Sequence, residues 1–238
     1  MTEWLLQKIK NKGDLMISIF RYIQQGEYLL AVIAVLSRCF VVFCCLPIHE
    51  LAHGFMAHLL GDDTAKREGR LSLNPFAHLN PIGTVMIFLF GIGYANPVPI
   101  NPRNFKNEKG GMALTAFAGP LANILMGFVS VWGYCILAKF AGNSAFGSAV
   151  AYFFLYAAQI NVMLAVFNLF PIPPLDGSKI LAAVLPDKIY YKYMMYERYI
   201  MIALMILLFT GVLDTPISFL TSKLLNFISL LPRLVLHI

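Results

Sequence analysis

The sequence His-Glu-Leu-Ala-His at residues 49–53 lies inside an almost continuous apolar stretch over residues 29–60. That stretch is long enough to cross a bilayer, because a membrane-spanning helix needs about 20 apolar residues. Two histidines four residues apart lie on one face of a helix, where both imidazoles can reach one metal ion. Ionisable residues at membrane depth are costly, and such a cluster indicates a functional site. The stretch therefore predicts a membrane helix that carries a metal-binding group.

The composition of the whole chain also indicates a membrane protein. Of its 238 residues, 59% are hydrophobic and 13% are charged, whereas soluble domains are about 45–50% apolar and about 25% charged. The formal net charge of +6 is spread through the loops that flank the apolar stretches. We interpret this charge as a signal of membrane orientation and of contact with anionic lipid, not of nucleic-acid binding.

Several further apolar stretches predict an all-α integral membrane protein, folded as a polytopic helix bundle. We expect membrane-spanning helices over residues 29–60, 112–140, 149–170 and 189–213. Residues 1–27 mix apolar residues with lysines and glutamines, which is typical of an amphipathic segment in the membrane interface. The last stretch, 216–238, fits either a membrane span or an interfacial helix.

The distribution of basic residues predicts the orientation of the site. Basic residues at 66–70 favour the cytoplasmic side, so the helix over 29–60 runs inward and places His49 in the cytoplasmic half. Residues 81–93 are apolar, short and punctuated by glycines. If they crossed the bilayer, Asp176 would lie on the opposite side from His49. We therefore predict that 81–93 is re-entrant, with non-helical backbone only where protein or a wet cavity shields it.

The residues around the two histidines are suited to hydrolysis by a zinc-bound water. Glu50 lies beside the metal position and can take a proton from a metal-bound water. A catalytic zinc site also needs a third protein ligand and an open position. Asp176 follows a proline-rich stretch that ends a predicted span, and Gly177 allows a tight turn there. Because Asp-Gly is a common turn signal, these residues alone fit either a turn or a metal ligand.

The order of these motifs resembles the site-2 protease family of intramembrane zinc metalloproteases. The resemblance rests on His-Glu-Leu-Ala-His at 49–53, Gly-Pro-Leu-Ala-Asn at 119–123, Asn-Leu-Phe-Pro at 168–171 and Leu-Asp-Gly at 175–177. It covers residues 29–186 and implies a three-helix metalloprotease core. The segment from Asn74 to Asn80 and Asn-Pro-Val-Pro at 96–99 are similar to a compact prokaryotic branch of the family. The stretch between the first two motifs is also too short for a PDZ domain. We accordingly divide the chain into the segment 1–27, a protease core over 28–186 and C-terminal transmembrane or interfacial helices over 187–238.

The resemblance also implies roles for single residues. His49, His53 and Asp176 are expected to bind one zinc ion per chain, and Glu50 to act first as general base and then as the acid that protonates the leaving amine. Asn123 is expected to hold substrate or the oxyanion, with a helix–helix hydrogen bond as an equal alternative. Asn168 either orients a ligand or satisfies the broken end of its helix.

These features predict an intramembrane zinc endopeptidase of the cell membrane that uses metal-activated water. Its expected substrates are membrane-spanning proteins or signal-peptide remnants. An alternative is a catalytically silent zinc-binding scaffold in the membrane, although a purely structural metal site has no use for Glu50. A transporter with broken helices predicts inverted repeats, and the sequence has no convincing repeat.

Two further hypotheses concern the surroundings of the site. Cys45 precedes His49 by four residues, so its thiolate could contact the metal; simple packing of a small buried residue is the alternative. The short stretch 81–93 and the Asn-Pro-Val-Pro loop at 96–99 could offer an edge with which an unwound substrate pairs.

Overall fold

The computed structural model of this chain describes residues 18–90, 95–140 and 144–237. The regular elements of these ranges are all helical, which confirms the all-α prediction. The helices are α1 (Ser18–Gln24), α2 (Tyr28–Leu59), α3 (Thr64–Arg67), α4 (Pro75–His78), α5 (Pro81–Phe90), α6 (Glu108–Phe140), α7 (Ala145–Asn168), α8 (Asp176–Ala182), α9 (Asp187–Met195), α10 (Glu197–Phe209) and α11 (Asp214–Leu236). Of the predicted interfacial segment 1–27, residues 1–17 lie outside the described residues.

Four of the described helices are long and apolar enough to cross a membrane, namely α2, α6, α7 and α11. The first three confirm the predicted spans over 29–60, 112–140 and 149–170. Helix α11 occupies the stretch for which the sequence fitted two alternatives, and its length and composition suit a span. The polytopic helix bundle is therefore confirmed, with α2, α6 and α7 packed against one another as its core.

The predicted single span over 189–213 is wrong. The chain breaks at Tyr196 into α9, of nine residues, and α10, of 13 residues. Glu197 begins the second helix, where a carboxylate is favourable beside the free N–H groups of the first turn. A helix of 13 residues is only about 20 Å long, which is shorter than the hydrocarbon core. Helix α10 instead packs with Leu204 and Leu208 on the end of α7.

The stretch that follows α4 packs on α2, with Ile87 of α5 buried against Val42 and Leu46, and then returns to its starting point. Helix α5 has ten residues, about 15 Å, which is half of a bilayer core. The backbone N–H of Asn96 donates to the carbonyl of His78 at 2.7 Å, and the Asn96 side-chain amide donates to the carbonyl of Leu79 at 2.9 Å. Since the residues before and after α5 are bonded to each other, both ends of this stretch lie on one side of the bundle, as the re-entrant prediction requires.

An arginine in the membrane-spanning helix α2 holds the inner end of α5. The Arg38 guanidinium donates to the carbonyl of Phe88 at 2.6 Å, and the arginine is buried. The last carbonyls of a helix have no partner within that helix, and water is scarce at this depth. Arg38 therefore stabilises a helix end that the bilayer would otherwise penalise.

Helix α2 is not regular along its whole length. Its segment Val41–Cys45 is a π-helix, immediately before Leu46–Leu59, which carries the two histidines. Pro47 lies just after this segment, and proline lacks the N–H for the carbonyl four residues earlier. The irregular segment lies one turn before Pro47, and its backbone hydrogen bonds join residues five apart instead of four.

Candidate metal centre

His53 is fixed in one orientation by the backbone of α6. Its Nδ1–H donates to the carbonyl oxygen of Thr115 at 2.7 Å, and the ring is buried. A ring that donates through Nδ1 carries its lone pair on Nε2. A metal-binding histidine commonly has such a carbonyl partner, which fixes its tautomer and its direction.

The Nε2 atom of His53 faces two further buried polar atoms. It lies 3.1 Å from His49 Nε2 and 3.2 Å from Asp176 Oδ2, and the His49 Nε2 to Asp176 Oδ2 distance is 3.4 Å. The two rings are nearly perpendicular, with centroids 4.6 Å apart. Helix α2 thus supplies two of the three side chains, and the start of α8 brings the third, Asp176, from far away in the sequence.

These three atoms fit a zinc ion. Ligands about 2.0–2.1 Å from a tetrahedral zinc lie about 3.3–3.4 Å from one another, close to the three observed separations. Two imidazole nitrogens and a carboxylate oxygen form a common catalytic zinc set with one position left open. A lone pair of His53 that faces a carboxylate oxygen needs a proton or a cation between them, and a metal ion satisfies all three atoms together.

Helix α6 comes close to this cluster because it has a glycine there. A Cβ atom on Gly119 would lie 2.3 Å from His53 Nε2 and 2.7 Å from His49 Cε1. Thr115 and Gly119 are four residues apart and therefore share a face of α6. That face supplies both the hydrogen bond to His53 and the space for the two rings.

Asp176 reaches the cluster through a tight connection between α7 and α8. A Cβ atom on Gly177 would lie 2.2 Å from the carbonyl oxygen of Leu169 and 2.4 Å from that of Phe170, so only glycine fits. Burial raises the pKa of Asp176, but the facing His53 and His49 outweigh it and hold this pKa well below the usual range. The carboxylate is therefore in the anionic form that binds metals.

Glu50 is buried beside the cluster and contacts the non-helical stretch that follows α5. Its Oε2 accepts a hydrogen bond from the backbone N–H of Val98 at 3.2 Å. The non-helical stretch that contains Val98 is fixed at its far end by Asp62, whose Oδ2 accepts from the Asn101 N–H at 2.7 Å. Asp62 Oδ1 also accepts from the Asn104 amide at 2.7 Å. The orientation of Glu50 therefore depends on a loop that two distant contacts hold.

The two asparagines of the sequence analysis have different surroundings. Asn123 lies on the face of α6 that carries Thr115 and Gly119, and it is 1% exposed. Within the described residues neither its amide nitrogen nor its oxygen has a hydrogen-bond partner. Asn168 instead donates to the carbonyl of Leu164 at 3.0 Å, one turn earlier in its own helix.

Cys45, which the sequence suggested as a metal contact, lies outside the cluster, and so do two further histidines, His58 and His78. Cys45 packs against α7, where its sulfur accepts a hydrogen bond from Asn161 at 3.4 Å. Its sulfur does not join the ligand atoms of His49, His53 and Asp176. His58 pairs with Asp63 at 2.5 Å in the loop after α2. His78 is buried, and its Nε2–H donates to the carbonyl of Ser72 at 2.7 Å.

Sequence reasoning missed several residues that shape the site. The Thr115 carbonyl and the Val98 N–H are backbone groups, and any residue type except proline at 98 supplies them. Lys179, whose Nζ lies 3.3 Å from Asp176 Oδ1, could have been found from its spacing of three residues in a predicted helix. Arg38 stood out only as a charge inside an apolar stretch.

Comparisons with known proteins agree with this geometry. The sequence profile of peptidase family M50 matches residues 135–210. YwhC of Bacillus subtilis (strain 168), whose name assigns it provisionally to the zinc metalloproteases, is 38% identical over 165 residues, 68% of this chain and 75% of YwhC. Zinc metalloprotease MJ0392 of Methanocaldococcus jannaschii is 29% identical over 151 residues, 63% of this chain and 35% of that protein. No solved structure matches the chain.

The helix bundle and the buried His-His-Asp cluster define an intramembrane zinc metalloprotease. The matched relatives bear zinc metalloprotease names, which agrees with this class. The chain belongs to peptidase family M50, the site-2 proteases. It is a multi-pass membrane protein with zinc as its cofactor, and its substrates are embedded in the bilayer.

Proposed function

We propose that His49, His53 and Asp176 hold one zinc ion per chain and that Glu50 is the general base of peptide hydrolysis. The observation that carries this proposal is the set of three buried ligand atoms separated by 3.1–3.4 Å. Zinc in such a site polarises a carbonyl and lowers the pKa of water.

Glu50 has the position that a general base needs. It neighbours His49 in α2 and is buried, and the Val98 N–H holds its Oε2. We propose that the other oxygen, Oε1, carries the proton. Glu50 takes this proton from the attacking water and later delivers it to the leaving amine. A carboxylate held by one backbone N–H keeps its direction during both transfers, which avoids reorganisation at the moment of reaction.

We assign Asn123 the role of a hydrogen-bond donor to the substrate. A buried side-chain amide without a partner costs free energy, so an unsatisfied Asn123 needs a compensating role. Its amide can donate to the oxygen that gains charge during attack. Asn168, whose amide donates to the Leu164 carbonyl, is assigned to the end of α7, where it supports the connection that leads to Asp176.

We further propose that the site faces the cytoplasmic half of the cell membrane and acts on single-span proteins or signal-peptide remnants. The segment between α2 and the first turn of α6 carries six Lys and Arg residues: Lys66, Arg67, Arg70, Arg103, Lys106 and Lys109. The opposite end, at the turn from α6 to α7, carries Lys139. Basic loops favour the cytoplasm. Labelling of Lys106→Cys and Ser144→Cys variants with an impermeant maleimide in intact cells checks this orientation, and labelling of residue 106 from outside would contradict it.

We also propose the division of the chain into three parts, 1–27, 28–186 and 187–238. All residues assigned to zinc, proton transfer and substrate lie within the core over 28–186. Helices α10 and α11 pack on this core, with Leu204, Leu208 and Ile217 against the end of α7. We assign the interfacial segment 1–27 and this C-terminal part to support of the core in the membrane.

Zinc content and cleavage test the assignments together. The detergent-purified wild type and Glu50→Gln should each hold near one zinc per chain, and Asp176→Ala much less. Glu50→Gln should fail to cleave a single-span membrane reporter that the wild type cleaves. Undiminished zinc in Asp176→Ala would remove this residue from the ligand set. Cleavage by Glu50→Gln at the wild-type rate would remove Glu50 from proton transfer.

A further inference from the structure

The two oxygens of Asp176 have different partners. Oδ2 faces the Nε2 atoms of His49 and His53 at 3.4 and 3.2 Å, whereas Oδ1 lies 3.3 Å from the ammonium of Lys179. Asp176 is the first residue of α8 and Lys179 lies one turn later, so the short helix itself sets the pair. The carboxylate is thus shared between the histidine cluster and a cation.

We propose that Lys179 is a positioning residue that holds Asp176 Oδ1, so that only Oδ2 is available to the metal. This inference rests on the proposed function, since it takes Asp176 as a zinc ligand. A carboxylate that binds through both oxygens occupies an additional position on the metal. A catalytic zinc site needs that position for water or substrate. Lys179 therefore keeps the site open as well as oriented.

The burial of the pair distinguishes it from an ordinary surface ion pair. Exposed pairs at this spacing contribute little to stability. The Asp176 side chain is 8% exposed and that of Lys179 is 31% exposed, so the carboxylate is shielded and the lysine reaches it from the surface. Partners behind a metal ligand typically change metal affinity or activity by about 10–100-fold.

Cobalt(II) can test this role without a substrate, because its visible absorption is strong in four-coordinate sites and weak at higher coordination number. We expect the cobalt-loaded wild type and Lys179→Arg to give the strong four-coordinate spectrum. In Lys179→Met and Lys179→Gln the freed Oδ1 should bind the metal and weaken the absorption. In the zinc enzyme, kcat of these two variants should fall at least about tenfold with KM unchanged. Lys188→Met, which removes an exposed lysine of the next helix, is the matched control.

The possible outcomes separate this inference from the proposed function. A wild-type spectrum and kcat in both Lys179→Met and Lys179→Gln, folded by size-exclusion chromatography, would overturn the role of Lys179 and leave the ligand set intact. A folded wild type that takes up neither cobalt nor zinc would overturn the ligand set and this inference together. A weakened spectrum in Lys188→Met as well would assign the change to lost charge at the surface.

Discussion

The metal centre joins two halves that the fold builds in different ways. His49 and His53 are one turn apart in α2, so the helix itself fixes their separation. Asp176 follows the broken end of α7, and its position depends on Gly177 against the carbonyls of Leu169 and Phe170. A regular helix can thus supply two ligands on its own, whereas the third ligand depends on a tight connection. The following variants test this difference.

The largest effect is expected from Gly119→Ala, which acts on the helical half. The new Cβ would lie 2.3 Å from His53 Nε2, so both rings must move. We expect bound zinc to be lost and cleavage to fall by at least about 100-fold. Gly133→Ala is the control in the same helix, since its Cβ would meet only the Phe154 ring at 2.8 Å. Metal analysis that found equal zinc in both variants would contradict the close approach of α6.

Gly177→Ala is expected to have the next largest effect, on the other half. Its Cβ would collide with two backbone carbonyls, which cannot rotate away, so Asp176 must shift. Because His49 and His53 remain in place, we expect weaker zinc binding, by about 10–100-fold in a chelator competition, and not complete loss. Ser178→Ala serves as control, because it removes only a hydroxyl bonded to the Leu175 carbonyl. If Gly177→Ala lost zinc as completely as Gly119→Ala, the two halves would not differ in this way.

Asp62→Asn should weaken the loop beside Glu50 and reduce stability. Burial raises the pKa of Asp62, but hydrogen bonds from the Thr64 hydroxyl, the Asn101 N–H and the Asn104 amide outweigh it and lower this pKa. A carboxylate with a lowered pKa stabilises the fold above its unfolded pKa of about 3.9, and this contribution is lost as the pH falls through the folded pKa. We expect Asp62→Asn to lose about 1–3 kcal/mol of the free energy of unfolding at pH 7.

Thermal unfolding in detergent between pH 7 and pH 3 measures both effects. The wild type should lose this stabilisation only below about pH 4, whereas Asp62→Asn should lack the acid-dependent loss. Glu68→Gln, an exposed carboxylate in the same loop, is the control. Equal unfolding temperatures of wild type and Asp62→Asn at pH 7 would show that the carboxylate contributes nothing there.

The smallest effect on catalysis is expected from Arg38→Met, which removes the hydrogen bond to the end of α5. Zinc content should stay at the wild-type level, because Arg38 bonds the re-entrant helix and not the ligands. Cleavage should fall less than about tenfold, from the loss of about 1–3 kcal/mol at one carbonyl. Arg38→Lys keeps a donor and is the matched comparison. Loss of zinc in Arg38→Met would mean that α5 supports the metal centre directly.

The sequence predicted much of this molecule where the information is local. The spans α2, α6 and α7 follow from apolar length, and the re-entrant stretch follows from its shortness and from the side on which Asp176 must lie. The wrong span over 189–213 shows the limit of this reasoning. The chain breaks just before Glu197 and Arg198, and a prediction from the apolar content of the whole stretch gave these two charges too little weight. The assignment of His49, His53 and Asp176 to zinc, and of roles to Glu50, Asn123 and Asn168, stays a prediction.

The sequence by itself determined that two histidines and a glutamate lie in one membrane helix, because the apolar stretch around them is long enough to span. It also determined that His49 and His53 share a face, since residues four apart in a helix do so. The tertiary structure decided which groups complete the site: the Thr115 carbonyl on His53, the Val98 N–H on Glu50, and Lys179 on Asp176. Two of these groups belong to the backbone, which every residue type shares, and their positions depend on how separate elements pack. Local pattern therefore specified the helical ligands, and packing specified the third ligand and the surroundings of all three.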